Sequence, residues 1–156
     1  MSGEPQDLLS RGALGTFRLN GQFLALAEEL ARPAGLTAAW WQVLGAVLGE
    51  PLPVSGIARA MGITRQSVQR VADLLVRRGL AEYRPNPAHR RAKLLAPTEQ
   101  GRAAVGRIDP GHAAFAERLS KAYGEAYGDA ELARAVEALE RLSAVLDALG
   151  PPVTEP

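Results

Sequence analysis

The run GITRQSVQRVADLLVRRGL, residues 62–80, makes two demands on one short segment. Its valines and leucines must pack, while its four arginines (Arg65, Arg70, Arg77 and Arg78) must stay in solvent or meet a partner. A helix capped by Thr64 meets both. At 100° per residue, Val68, Val71, Ala72 and Leu75 share one arc, with Val76 at its edge. Gln66, Gln69, Arg70, Asp73 and Arg77 fall on the opposite arc. One side packs, and the other offers amides and guanidiniums.

A short helix over about Ser55 to Met61 precedes this one. Ala58, Gly62 and Val68 stand at positions 5, 9 and 15 of the segment 54–73. That spacing suits a helix-turn-helix: a small residue at the crossing, glycine in the turn, and an aliphatic returning to the crossing. The second helix of such a unit enters the major groove. Glutamine can pair with adenine through two hydrogen bonds and arginine with guanine, so Gln66, Gln69 and Arg70 are suited to base edges. Arg65 in the first turn, with the Thr64 and Ser67 hydroxyls, better suits phosphates, and Arg77 lies on the same outward arc. Two ordinary packed helices with a solvated face would share this pattern. The next segment argues against that: LAEYR, the loop PNPAHRR and AKLLA read as two short strands around a basic tip. His89, Arg90 and Arg91 occupy the tip, with Arg84 at its base and Lys93 on the return strand. An arginine on a protruding loop can enter a narrow minor groove, where negative potential is concentrated.

Charge supports the same reading. Nine Lys/Arg against two acids between Arg59 and Lys93 make that window +7, so the remainder of a +1 chain sums to −6. A basic block in an otherwise acidic chain is an electrostatic footprint for a polyanion.

The flanks read as helix. The first helix runs from near Arg11 to about Arg32, where Pro33-Ala34-Gly35 breaks it. Leu14, Phe17, Gly21 and Leu24 form one stripe of it. Leu19, Phe23, Leu26 and Leu30 form another on nearly the opposite side, so one face is expected to meet a second subunit. Thr37 caps a helix that ends at Gly49, before a Pro51-Leu52-Pro53 loop. Thr98 caps a helix interrupted at Asp109-Pro110, and a last helix starts at Asp129 and stops at Gly150-Pro151-Pro152. Its Leu132, Val136, Leu139, Leu142, Leu146 and Leu149 make an apolar seam. At 156 residues one compact domain is expected, and the absence of cysteine excludes disulfides and thiolate metal sites. No apolar run approaches the roughly 18 residues of a membrane span, and MSGEPQDLLSR does not read as a signal peptide, so a cytoplasmic protein is expected.

LTAAWWQVL (36–44) and VSGIARAMGITRQSVQRVADLLVRRGLAEYRPNPAHRRAKLLAPTEQG (54–101), with these flanking helices, resemble the MarR family of bacterial winged helix-turn-helix regulators. The resemblance implies a mainly α fold with a small β-hairpin wing: an N-terminal dimerisation helix over 1–35, a winged helix-turn-helix over 36–97, C-terminal dimerisation helices over 98–150, and a flexible tail over 151–156. It implies a homodimer with interlocking first and last helices, a recognition helix at about 64–78, and Arg90 at the wing tip. The implied function is sequence-specific binding of double-stranded DNA at a palindromic operator, in this family most often as a repressor. Many members respond to small, often aromatic ligands bound between the dimer helices and the DNA-binding lobes. Phe17, Trp40, Trp41 and Phe115 are the candidates for lining such a site, with plain core packing as the competing role of each. The family's redox-sensing branch needs a cysteine that this chain lacks.

The tip departs from the family. Asp-Pro-x-Asp-Arg-Arg becomes Asn86-Pro87-Ala88-His89-Arg90-Arg91, so two acids that would orient the arginines are missing. A looser, more cationic wing is expected. Nothing calls for an enzyme or a cofactor: there is no glycine-rich phosphate loop, no Gly-x-Ser-x-Gly and no His-Glu-x-x-His. His89 and His112, with Asp109 or Glu117, are the one conceivable zinc set, against surface histidines. A winged helix kept for protein interaction without DNA binding, and an enzyme with an unrecognised site, remain as other classes.

Overall fold

The computed structural model describes residues 3–152; residues 1–2 and 153–156, the latter most of the expected tail, lie outside it. Helix α1 spans Gly3–Ala31, so it starts well before the expected position near Arg11. The polar leader is helical because Glu4 suits the positive N-terminal end of the helix, Pro5 is tolerated in a first turn, and Asp7 pairs with Arg11 one turn on (3.5 Å). A 3-10 turn over Arg32–Ala34 ends α1, and Gly35 closes it at φ 73°, a conformation that suits glycine.

Helix α2 (Ala38–Val47) begins at Thr37, whose side chain accepts from the Trp40 amide, while Glu28 of α1 accepts from the Ala38 amide (2.9 Å). Two residues then form a strand that the sequence did not disclose, β1 (Leu52–Pro53). Flanking prolines read as loop, but on a sheet edge the missing N–H of Pro53 need not cost a ladder bond. Next come α3 (Val54–Met61) and α4 (Arg65–Arg77). Gly62 turns between them at φ 66°, and Ala58 and Val68 are both buried, as the helix-turn-helix spacing requires. Strands β2 (Ala81–Arg84) and β3 (Leu94–Pro97) pair antiparallel, with Tyr83 opposite Leu95. β1 adds to the other edge of β3, so the sheet has three strands in the order β1-β3-β2.

Helix α5 (Glu99–Gly106) starts at Thr98, whose hydroxyl accepts from the Gly101 amide and donates to the Gly79 carbonyl. The core of this first unit, which extends to Pro110, gathers Val43, Leu44 and Val47 of α2, Ile57 of α3, Val68 and Leu75 of α4, Leu95 of β3 and Ile108. Each is at most 2% exposed. α1 contributes little to it: Ala31 is its one buried residue, and Leu14 and Phe17 stay 68% and 71% exposed.

The second unit, from Gly111 onward, holds most of α6 (Asp109–Tyr127) and all of α7 (Glu131–Leu149). Asp109-Pro110 opens α6 and the last helix ends at Gly150, as expected, although α7 begins at Glu131 rather than Asp129. Neither helix has a buried residue. Val136, Leu139, Leu142 and Leu146 are all exposed, so the α7 seam lies bare in the single chain.

Candidate nucleic-acid interface

The apolar arc of α4 is inward: Val68, Ala72 and Leu75 are buried, and Val71 and Val76 are half-buried. Gln66, Gln69, Arg70, Asp73 and Arg77 are exposed. Beside this face lies an open groove of about 550 Å³, walled by Ser55 at the start of α3, by Arg65, Gln66 and Gln69 of α4, and by Tyr83, Arg91 and Lys93 of the wing. The structure thus brings first-turn and wing cations to one concavity, although 25 residues separate Gln66 from Arg91 in the chain. A second concavity of about 450 Å³ runs along the wing, lined by Tyr83, Arg84, Asn86, Arg90 and Lys93 among others.

The cations are not equivalent. Arg84 is held by Glu82, its Nε and Nη2 donating to one carboxylate oxygen at 2.9 and 2.8 Å. Arg77 Nε donates to the Asp73 backbone carbonyl (3.4 Å). Arg78, at the end of α4, lies over the Trp40 ring at 5.6 Å. Among the described residues Arg65, Arg70, Arg90, Arg91 and Lys93 take part in no ion pair. Arg84, counted with the others from sequence, is therefore a largely neutralised member of the set.

Two hydroxyls at the helix start have shared duties. Thr64 Oγ1 accepts from the Ser67 amide (3.1 Å) and donates to Ser67 Oγ (2.9 Å). The Thr64 proton is thus engaged in the cap, and the Ser67 proton is the one left for a phosphate.

Gln69 departs further from its expected role. Its Nε2 donates to Asp73 Oδ1 (2.9 Å) and to the Tyr83 hydroxyl (2.8 Å), while that hydroxyl donates to Asp73 Oδ1 (2.5 Å). The amide nitrogen is engaged twice, so the two-bond adenine pair expected from sequence would have to draw a donor away from these partners. This ring ties α4 to the first wing strand. The Tyr83 hydrogen bond, then that of Gln69, holds the Asp73 carboxyl below its ordinary 3.8, with the Arg77 charge assisting. Burial, then the hydrogen bond to Asp73 and its charge, pushes the Tyr83 phenol up to about 12. The i,i+4 spacing of Gln69 and Asp73 was visible in the sequence. Tyr83 was missed because only the hairpin's placement brings it to them.

At the tip, Asn86 forms the turn: its Oδ1 accepts from the Ala88 amide (3.0 Å), and its carbonyl accepts from the His89 amide (3.3 Å). The turn is closed without adding negative charge beside Arg90 and Arg91.

The four aromatic ligand candidates have different settings. Trp40 and Trp41 are half-buried against the core of the first unit, and Phe17 is exposed on α1. Phe115, half-buried on α6, has Arg118 over its ring at 5.5 Å. A cavity of about 440 Å³ between α1, α2 and α3 is lined by Asn20, Leu24, Gln42, Ala46, Ala60, Met61 and Ile63. Among the described residues no three His, Asp or Glu side chains are grouped to hold a metal ion, and no helix is long and apolar enough to cross a membrane.

A model of the MarR family matches residues 34–92, the segment holding α2 through the wing tip. An uncharacterized protein of Mycobacterium tuberculosis is 38% identical over 145 residues, covering 93% of this chain and 99% of that one. A MarR family transcriptional regulator from Rhodococcus sp. RHA1 superposes with a TM-score of 0.67 at 26% identity, over 86% of this chain and 94% of its own. The M. tuberculosis regulator MosR, solved in complex with DNA, has the same fold at 21% identity (TM-score 0.63; 85% and 96% covered). So has CouR from Rhodococcus jostii RHA1, solved with p-coumaroyl-CoA bound, at 24% identity (TM-score 0.62; 99% and 97% covered).

Proposed function

The chain belongs to the MarR family of transcription regulators, and on that premise we propose that it binds double-stranded DNA as a homodimer, with α4 in the major groove and the wing at the minor groove. The groove between α4 and the wing carries this reading. It sets Arg65, Arg91 and Lys93, none of them in an ion pair among the described residues, around the exposed amides of Gln66 and Gln69. Phosphate contacts fall to Arg65, the Ser67 hydroxyl, Arg91 and Lys93, and base reading to Gln66 and Arg70. Arg90, with His89, serves the minor-groove side and the DNA backbone that flanks it. Residues 1–35 and 98–150 act as the dimerisation segments around a DNA-binding region over 36–97. The bare stripes of α1 and α7 support this, since each is an apolar face without cover in the single chain.

Two recognition helices on a twofold axis read half-sites roughly 10 base pairs apart, centre to centre, so the operator is an imperfect palindrome. Selection from a random DNA pool with the purified protein tests this. An enriched palindrome bound by a dimer supports it, and retention of no sequence above background refutes it.

Repression relieved by a small ligand is the second part of the proposal. DNA-bound MosR and ligand-bound CouR share this fold, which is the observation favouring it. A ligand releases DNA only by preferring a conformation that DNA does not accept. Trp40, half-buried beneath Arg78, is the natural reporter. Aromatic acids and their thioesters that quench tryptophan fluorescence and weaken operator binding together would support this part. Compounds that quench without moving operator affinity would count against it.

A further inference from the structure

Each side of the Gln69–Asp73–Tyr83 ring is a hydrogen bond of 2.9 Å or less. The ring decides what the Gln69 amide can read. A side-chain amide carries two N–H donors on one end and an acceptor oxygen on the other. Here the nitrogen that carries both donors is the atom held in the ring. The reverse orientation is disfavoured by its partners: ionised Asp73 has no proton to give, and the single Tyr83 proton already goes to it. A flipped amide would set Oε1 against two oxygens that act as acceptors. Oε1 is therefore the one polar atom of Gln69 left for an outside partner, on an exposed residue lining the groove between α4 and the wing.

The base edges of the major groove differ in what they offer such an atom. Adenine N6 and cytosine N4 present amino hydrogens, whereas guanine O6 and thymine O4 present lone pairs. An acceptor-only amide accepts a hydrogen bond from the first two and meets the others oxygen to oxygen, leaving both groups unsatisfied.

We propose that Tyr83 and Asp73 are specificity-determining positioning residues, which hold the Gln69 amide so that its oxygen alone faces the DNA and selects a base bearing an exocyclic amino group. This rests on the DNA-binding reading above. Neither residue needs to touch the base. The wing strand sets the recognition chemistry of the helix by taking up the hydrogen-bond donors that a free glutamine would use.

Base selection from a randomised palindrome, run with the full chain and its variants, tests this. Gln69→Ala identifies the position by flattening one column in each half-site. At that column the wild type is expected to favour adenine or cytosine over guanine and thymine by about tenfold, the scale of one well-made base contact. Tyr83→Phe keeps the ring packing, removes the hydroxyl and releases one amide hydrogen, so guanine and thymine should become tolerated there to within about threefold while other columns hold. Gln69→Glu combined with Asp73→Asn rebuilds the ring with donors and acceptors exchanged. It again leaves an oxygen outward and should restore the amino-base preference that either single change weakens.

A column favouring guanine or thymine in the wild type would overturn the inference. So would a Tyr83→Phe protein that loses affinity for all sequences alike, because the ring would then be only a brace. If the wild type enriches palindromes but Gln69→Ala alters no column, this inference alone falls. If the wild type enriches nothing, the DNA-binding reading falls and takes this one with it.

Discussion

Arg90→Ala should remove one phosphate-facing charge per protomer without touching the fold. Arg90 is exposed at the wing tip and takes part in no ion pair among the described residues, so its charge is not offset by a neighbour. Each neutralised phosphate contributes about 0.9 to the slope of log affinity against log salt, so losing two contacts per dimer should flatten the slope by about 1.8. Between 50 and 200 mM salt that difference amounts to about one decade. The variant's deficit should therefore shrink about tenfold across the range. The control is the double change Glu82→Ala with Arg84→Ala. Arg84 is held by Glu82 at 2.8 Å, so deleting both removes a neutral unit and should leave the slope within about 0.5 of wild type. Fluorescence anisotropy at several salt concentrations, on the operator and on a scrambled duplex, measures both. A slope unchanged by Arg90→Ala, or a loss confined to the operator, would refute the assignment of Arg90 to the DNA backbone. A slope lowered equally by the neutral pair would show that Arg84 leaves Glu82 to meet DNA.

Arg70→Ala should cost about 1–3 kcal/mol per half-site on the operator, relax one base position, and leave scrambled DNA nearly unaffected. The ring in α4 and the wing has a signed pH dependence. The Asp73 carboxyl is lowered, so its contribution is present above its ordinary 3.8 and is lost as pH falls through the lowered value. Tyr83 is raised, so its contribution is present below 10.0 and is lost as pH rises through about 12. Denaturant melts of wild type and Tyr83→Phe should accordingly differ by about 1 kcal/mol near neutrality and converge at both extremes, and one late-ionising tyrosine should vanish from the ultraviolet titration of the variant. Phe17→Glu places a charge on the bare α1 stripe and should yield a monomer by light scattering with little loss of helicity, whereas a surviving dimer would remove that stripe from the interface. Gly101→Ala should destabilise by about 3 kcal/mol in urea unfolding, because the new methyl group would be driven into the Leu80 carbonyl oxygen, a backbone atom that cannot move aside cheaply.

Much of this protein could be read locally. Thr37, Thr64 and Thr98 each cap the helix they were expected to cap, because an N-cap depends on residues within three positions of itself. The two arcs of α4 follow from helical periodicity alone, and the Ala58, Gly62 and Val68 spacing holds because the turn between the two helices is short. Where local rules competed, the reading failed. The first helix was expected to start only near Arg11, yet its extension back to Gly3 needs only a favourable first turn and no breaker. Leu52-Pro53 looked like loop because a strand of two residues is defined by its partner, Leu94–Leu95, more than by itself.

The same division runs through the site. The residue types, the spacing of the helix-turn-helix and the concentration of positive charge between Arg59 and Lys93 are properties of the chain order, and they sufficed to point to nucleic acid. Which of those cations remain without an ion-pair partner, and which atoms of Gln69 remain available, are decided by contacts between elements. Arg84 meets Glu82 because the two lie in one short strand, and the Gln69 amide nitrogen is taken up because the hairpin sets Tyr83 against α4, 14 residues away in sequence. A sequence lists the hydrogen-bonding groups a chain owns. Only the folded geometry determines which are satisfied internally, and a buried or engaged donor is no longer a donor to DNA.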